Sequence, residues 1–205
     1  MRVRFTPPTQ TFGGYIFDCD GTLADSMPLH HDAWKFALKE CGAEFEFTWE
    51  IFASRGGMPL EQTVRELNQQ FCCELDPIAI AAAQRVHFEA RLHELQPISE
   101  VTHFARQVQA QRPVSVASGN LRLQVVRSLH TIGVGDIFDI IVTPEQVERG
   151  KPHPDMFLLA AELMGVRPKD CLVIEDSPLG IQAAERAGMA WALVEDALPT
   201  VPKTG

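Results

Sequence analysis

Apolar positions along the chain follow two rhythms. Short β-prone runs stand at about 13–18, at Val114-Ser115-Val116-Ala117, at Asp139-Ile140-Ile141-Val142, at Cys171-Leu172-Val173-Ile174 and at Trp191-Ala192-Leu193-Val194. Helix-period segments lie between the later runs, at roughly 121–132, 154–165 and 178–187. Strand, helix and strand at this spacing predict βαβ units, and therefore a parallel sheet with helices on both faces. Residues 27–95 read differently, with helical patterns at about 29–41, 60–71 and 77–95 and little strand signal. Leu60, Val64, Leu67 and Phe71 there share one helical face. The expected fold is α/β: a doubly wound parallel sheet (a Rossmann-like core) with an inserted helical cap. Residues 1–26 and 96–205 would form the core and residues 27–95 the cap, with hinges near Asp25 to Pro28 and Leu95 to Ile98.

In such sheets ligands bind beyond the carboxyl ends of the strands. Polar residues gather just after the apolar runs. Asp18 and Asp20 follow the first run, Ser118, Gly119 and Asn120 the second, and Glu175, Asp176 and Ser177 a later one. Gly150-Lys151-Pro152-His153-Pro154 leads into the helix near 154. Each piece has an ordinary reading when taken alone. Asp-x-Asp-Gly fits a turn. Ser118 fits a helix N-cap, a place that can also receive an anion. Lys151 fits a solvated loop charge, and Glu175-Asp176 a cap for the helix near Pro178. Together at one sheet edge they form a chemical set. Asp18 can attack phosphorus, and Asp20 can give a proton to a leaving group and later take one from water. Asp18, Asp176 and Glu175 offer hard oxygen ligands suited to magnesium. Lys151, the Ser118 hydroxyl and nearby backbone N–H groups can hold phosphoryl oxygens as charge shifts.

Composition narrows the partners. The 205 residues are 45% hydrophobic and 22% charged, enough for a sizeable core. The formal charge of -9, from 27 acids against 18 bases, argues against a nucleic-acid partner. A small phosphate ester bound beside a metal remains compatible with it. No apolar run of about 18 residues appears, so no membrane span is expected, and Met1 to Gln10 reads as a short leader, not a signal peptide. Cys19, Cys41, Cys72, Cys73 and Cys171 show no metal-ligand spacing and read as reduced thiols of a cytoplasmic protein. Strand alternation turns Cys19 away from Asp18 and Asp20, into the core.

The four motifs resemble the haloacid dehalogenase-like hydrolase superfamily, from about Gly14 to Val194. They are most similar to its β-phosphoglucomutase and fructose-1-phosphate phosphatase-like subgroup. Two stretches carry much of the likeness: Lys151-Pro152-His153-Pro154-Asp155-Met156-Phe157, and Glu175-Asp176-Ser177-Pro178-Leu179-Gly180-Ile181-Gln182-Ala183-Ala184. Ser26, His30 and Trp34, spaced four apart, add to it. The resemblance implies Asp18 as nucleophile and Asp20 as general acid and base, with the Asp20 backbone carbonyl also on magnesium. It implies Ser118 and Lys151 on phosphate, with Gly119 and Asn120 beside them, and Glu175 with Asp176 completing the Mg2+ site. The expected activity is a magnesium-dependent phosphatase acting on a small phosphorylated metabolite, a sugar phosphate, through an aspartyl-phosphate. A monomer is expected.

Two alternatives share these residues: a sugar-phosphate mutase, and a phospho-accepting signalling module. Mutases of the subgroup carry a cap-loop arginine for the distal phosphate, and an ungapped alignment puts Pro59 there. Arg55, before Gly56-Gly57, is the candidate replacement, and His30 is a second candidate for touching substrate. His87, His93, His103 and His130 fall in helical patterns and read as structural. Phe36, Phe45, Phe47, Trp49 and Phe52 read as cap core.

Overall fold

The computed structural model describes residues 5–195. Five strands, β1 (Gly14–Phe17), β2 (Val114–Ala117), β3 (Ile140–Val142), β4 (Cys171–Glu175) and β5 (Ala190–Leu193), form one parallel sheet in the order β3-β2-β1-β4-β5. The chain winds outward from β1 to β3, crosses back, and winds out again through β4 and β5. That order creates a switch point beside β1, where ligands collect in open α/β sheets. The register pairs Phe17 with Val116 and with Ile174, so the polar residues beyond the three central strands emerge level with one another.

Alternation along β1 explains why both faces are covered. Tyr15 and Phe17 point to one face and meet Phe104, with Phe138 also against Phe17. Ile16 points to the other, into a cluster with Ala117, Val142, Met156, Phe157, Ala160, Val173 and Ala183. The helices are α1 (Met27–Glu40), α2 (Trp49–Ala53), α3 (Leu60–Phe71), α4 (Pro77–Ala90), α5 (Ser99–Gln109), α6 (Arg122–Thr131), α7 (Asp155–Met164) and α8 (Pro178–Arg186). α7 and α8 supply the Ile16 side of the core and α5 brings Phe104 to the other. The reading of the sequence did not contain α5 or the short α2. It also ran the helix at 77–95 too far: α4 ends at Ala90, and Leu92–Glu94 is a single 3-10 turn.

The chain divides into two compact units, Ser26–Leu95 and the segments on either side of it. The first has its own core, made by Trp34, Ala37, Leu38, Phe47, Val64, Leu67, Leu75 and Ile80, with Leu60 and Phe71 packed on it. α3 stops where Cys72 takes a left-handed φ of 52°. Asn68 holds the exit: its Oδ1 accepts from the Leu75 N–H and its Nδ2 donates to the Leu75 carbonyl. Asp76 then caps α4 through the Ile78 N–H. Arg91 reaches both Asp32 of α1 and Glu94. Phe45, Phe47 and Phe52 join this core, whereas Phe36 is 38% exposed and stacks on His87. Trp49 is half-buried and packs on Phe52 and His31, outside the buried cluster.

Candidate active site

Asp18 ends the buried run of β1, and its N–H donates to the Ile174 carbonyl, so the ladder holds its backbone. The chain then reverses in a tight loop. Leu23 and Ala24 donate to the Cys19 carbonyl, and the Gly21 N–H donates to the Ala24 carbonyl. Gly21 is required here twice over. Its φ is +81°, and a Cβ on it would lie 2.2 Å from Asp176 Oδ2. The loop therefore closes against a carboxylate from β4's far end, and the Thr22 hydroxyl donates to the other oxygen of Asp176 at 3.2 Å.

Glu175 is the last residue of β4 and is 1% exposed. Its Oε1 accepts from the N–H and the hydroxyl of Ser177, at 3.1 and 2.6 Å. Its Oε2 accepts from Lys151 at 2.7 Å. Ser177 is the N-cap of α8 and accepts from the Gly180 N–H, so this serine, not the acids before it, caps the helix. Its place just before Pro178 is the sequence signal for that role. The Glu175 carboxylate lies against Gly180: a Cβ there would sit 2.1 Å from its carboxyl carbon. The first turn of the helix carries a glycine at this position because a buried acid occupies the space.

Lys151 brings the counter-charge. Its ammonium donates to Asp18 Oδ1 at 2.6 Å as well as to Glu175, and stands 5.1 Å above the Phe157 ring centroid. The loop that carries it is tied down by Arg186, which donates to the Pro152 carbonyl at 2.8 Å, and by the His153 N–H to the Gly150 carbonyl. Phe157, Thr22, Ser177 and Arg186 thus support the site; the first three lie within the sequence motifs, which assign them no role, and Arg186 lies outside the residues those motifs single out.

Oxygens of Asp18, Glu175 and Asp176 all lie within 4.8 Å of one another. Burial, and then the charge of Glu175, push Asp18 well above the usual carboxylate range, with Lys151 opposing them. Burial, Glu175 and Asp18 push Asp176 up in the same way. One ammonium among three converging acids leaves negative charge in excess. Hard oxygen donors in that state fit a divalent cation such as magnesium.

Asp20 is set apart from this cluster. Its Oδ2 accepts from the Asn120 side-chain amide at 2.8 Å. Asn120, expected beside the phosphate, has its side-chain amide on Asp20. Ser118 is 1% exposed, and its Oγ accepts from the Asn120 N–H at 3.2 Å, leaving its own proton to donate. It is not a helix cap, because α6 starts after Leu121 with no side-chain cap. Gly119 between them is exposed.

Neither cap candidate reaches out freely. The Arg55 guanidinium donates to the Ile51 carbonyl, to Ser54 and to Gln70, the last at 2.6 Å, so the candidate replacement arginine has its partners within Ser26–Leu95. His30 stacks on Phe88 with ring centroids 4.3 Å apart.

The chain is similar to known proteins over most of its length. Over 183 residues the chain is 33% identical to the fructose-1-phosphate phosphatase YqaB of Escherichia coli, covering 88% of this chain and 95% of that relative. It is 32% identical to hexitol phosphatase A of the same organism, over 85% of this chain and 79% of the relative. A crystal structure of a hydrolase of this family from Deinococcus radiodurans, with bound phosphate and sodium, superposes with a TM-score of 0.67 at 27% identity, covering 88% of this chain and 79% of that one. Residues 15–194 match the haloacid dehalogenase-like hydrolase family, and the chain belongs to it.

Proposed function

We propose that this protein is a magnesium-dependent phosphatase of small phosphorylated carbohydrates, with Asp18 as its nucleophile. One observation carries the reading: Asp18 shares a single point with Lys151, Glu175 and Asp176, at the carboxyl ends of β1 and β4. The substrate class rests on the two carbohydrate phosphatases named above.

Asp18 Oδ1 faces Lys151, and its second oxygen is the attacking atom. It forms a bond to phosphorus as the bond from phosphorus to the ester oxygen breaks. Asp20 donates a proton to that departing oxygen. Asp20 then takes a proton from a water that attacks the aspartyl-phosphate, which releases phosphate and restores Asp18. Lys151 and the Ser118 hydroxyl hold phosphoryl oxygens through both steps. Asp18, Asp176, the Asp20 carbonyl and Glu175 would hold magnesium, which neutralises phosphoryl charge when bound. Glu175 also fixes Lys151. Residues 27–95 act as the cap in this reading, and residues 1–26 with 96–205 as the catalytic core. The five free cysteines fit a reducing compartment such as the cytoplasm.

The phosphatase is favoured over the mutase by what stands at the two cap positions. Pro59 is the N-cap of α3 and carries no charge, and Arg55 already has protein partners. The test is a panel of sugar phosphates with magnesium, measuring free phosphate and isomerised product together. Phosphate release without isomer is expected. Isomer formed without net phosphate would overturn the reading in favour of the mutase.

A further inference from the structure

We propose that Asn120 is a positioning residue for Asp20, orienting the carboxyl group that handles the proton. This rests on the phosphatase reading above. The parallel pairing of β1 with β2 brings the two loops together: Phe17 is level with Val116, and both chains turn just beyond. The contact itself is the 2.8 Å hydrogen bond from Asn120 Nδ2 to Asp20 Oδ2, across 100 residues of sequence.

Both partners are held by their backbones. The Asp20 loop is closed by the bonds of Gly21, Leu23 and Ala24 already described. The Asn120 N–H donates to the buried Ser118 hydroxyl oxygen, and the Ser118 N–H donates to the Val142 carbonyl of β3. The donor is therefore anchored to the sheet. Asp20 is half-buried, and a carboxylate torsion is broad, so a fixed donor narrows the orientations it samples. An amide suits the task because its NH2 can only donate and does not titrate. Holding Oδ2 sets the orientation in which the Asp20 carboxyl group meets the leaving oxygen. A group acting in this way matters only as much as the leaving group needs a proton.

That dependence gives the test. Measure kcat/KM, which ends at formation of the aspartyl-phosphate, for fructose 1-phosphate and for p-nitrophenyl phosphate in the presence of magnesium. The sugar leaves as an alkoxide and requires protonation, whereas p-nitrophenolate leaves without it. Asn120→Ala should lower kcat/KM on fructose 1-phosphate about ten- to hundredfold and on p-nitrophenyl phosphate less than about threefold. In an Asp20→Asn background the same substitution should add almost nothing on either substrate. The ratio between substrates does not depend on the fraction of enzyme folded. Equal losses on both substrates would overturn the proposal and return Asn120 to phosphate binding. Failure of the wild-type protein to release phosphate from either substrate would overturn the phosphatase reading itself, and this role with it.

Discussion

Lys151 is the residue on which the acidic cluster depends. It is 9% exposed, and its ammonium is shared by Asp18 and Glu175. Lys151→Met should lower kcat/KM by about 10²-fold or more, since a buried donor to the reacting centre is lost. It should also destabilise the metal-free protein by about 3–5 kcal/mol, as measured by urea unfolding, because two buried carboxylates lose their partner. Asp176 gives the opposite expectation. Asp18 and Asp176 are both raised in the folded protein, by burial and by the acids around them. Unfolded, each titrates near its ordinary value of about 3.9. Between that value and the raised one the folded state keeps protons that the unfolded state has lost. Their contribution therefore makes stability fall as pH rises through that window. Asp176→Asn, measured with a chelator present, should stabilise the protein, and by more at pH 8 than at pH 5. Equal increments at both pH values would contradict the electrostatic account.

At the scale of elements, the N-terminus of α8 shows how local structure serves the site. Alanine is ordinarily the better helix former, by about 1 kcal/mol over glycine. At Gly180 a methyl would enter the space of the Glu175 carboxylate. Gly180→Ala should therefore destabilise the protein and reduce kcat/KM at least about tenfold, and a gain in stability would show that the carboxylate moves freely. Most elements were legible in the sequence because their periods are clean: Val64 and Leu67 are fully buried on the face predicted for α3. α5 was not. Its stripe of Val101, Phe104 and Ala105 is short, and Thr102 sits buried within it, bonded back to the carbonyls of Ile98 and Ser99. The candidate residues were visible as motifs, but their partners were not. Nothing local to Arg55 announces Gln70, and nothing local to Asp20 announces Asn120. Side-chain partners far apart in sequence are set by the fold, whereas a motif reports only the residue types.

For the whole molecule, an excess of acids serves a substrate that is itself an anion only if a cation is present. The formal charge is -9, and the converging acids lie within a single sheet edge. Magnesium should raise the thermal midpoint of the wild-type protein, with a gain of about 2.7 kcal/mol at a hundredfold excess over its dissociation constant. Asp176→Asn should largely remove that gain, and a chelator should reverse it. No helix among the described residues is long and apolar enough to cross a membrane. The central claim is that phosphate passes through Asp18. Its most direct test is acid quenching of the protein during turnover of a sugar phosphate with magnesium, followed by peptide mass analysis. The expected result is one phosphoryl group on Asp18, lost once substrate is exhausted and absent from Asp18→Asn, which should retain less than about one thousandth of wild-type activity. Phosphate release by Asp18→Asn at a rate near that of the wild type would contradict the account.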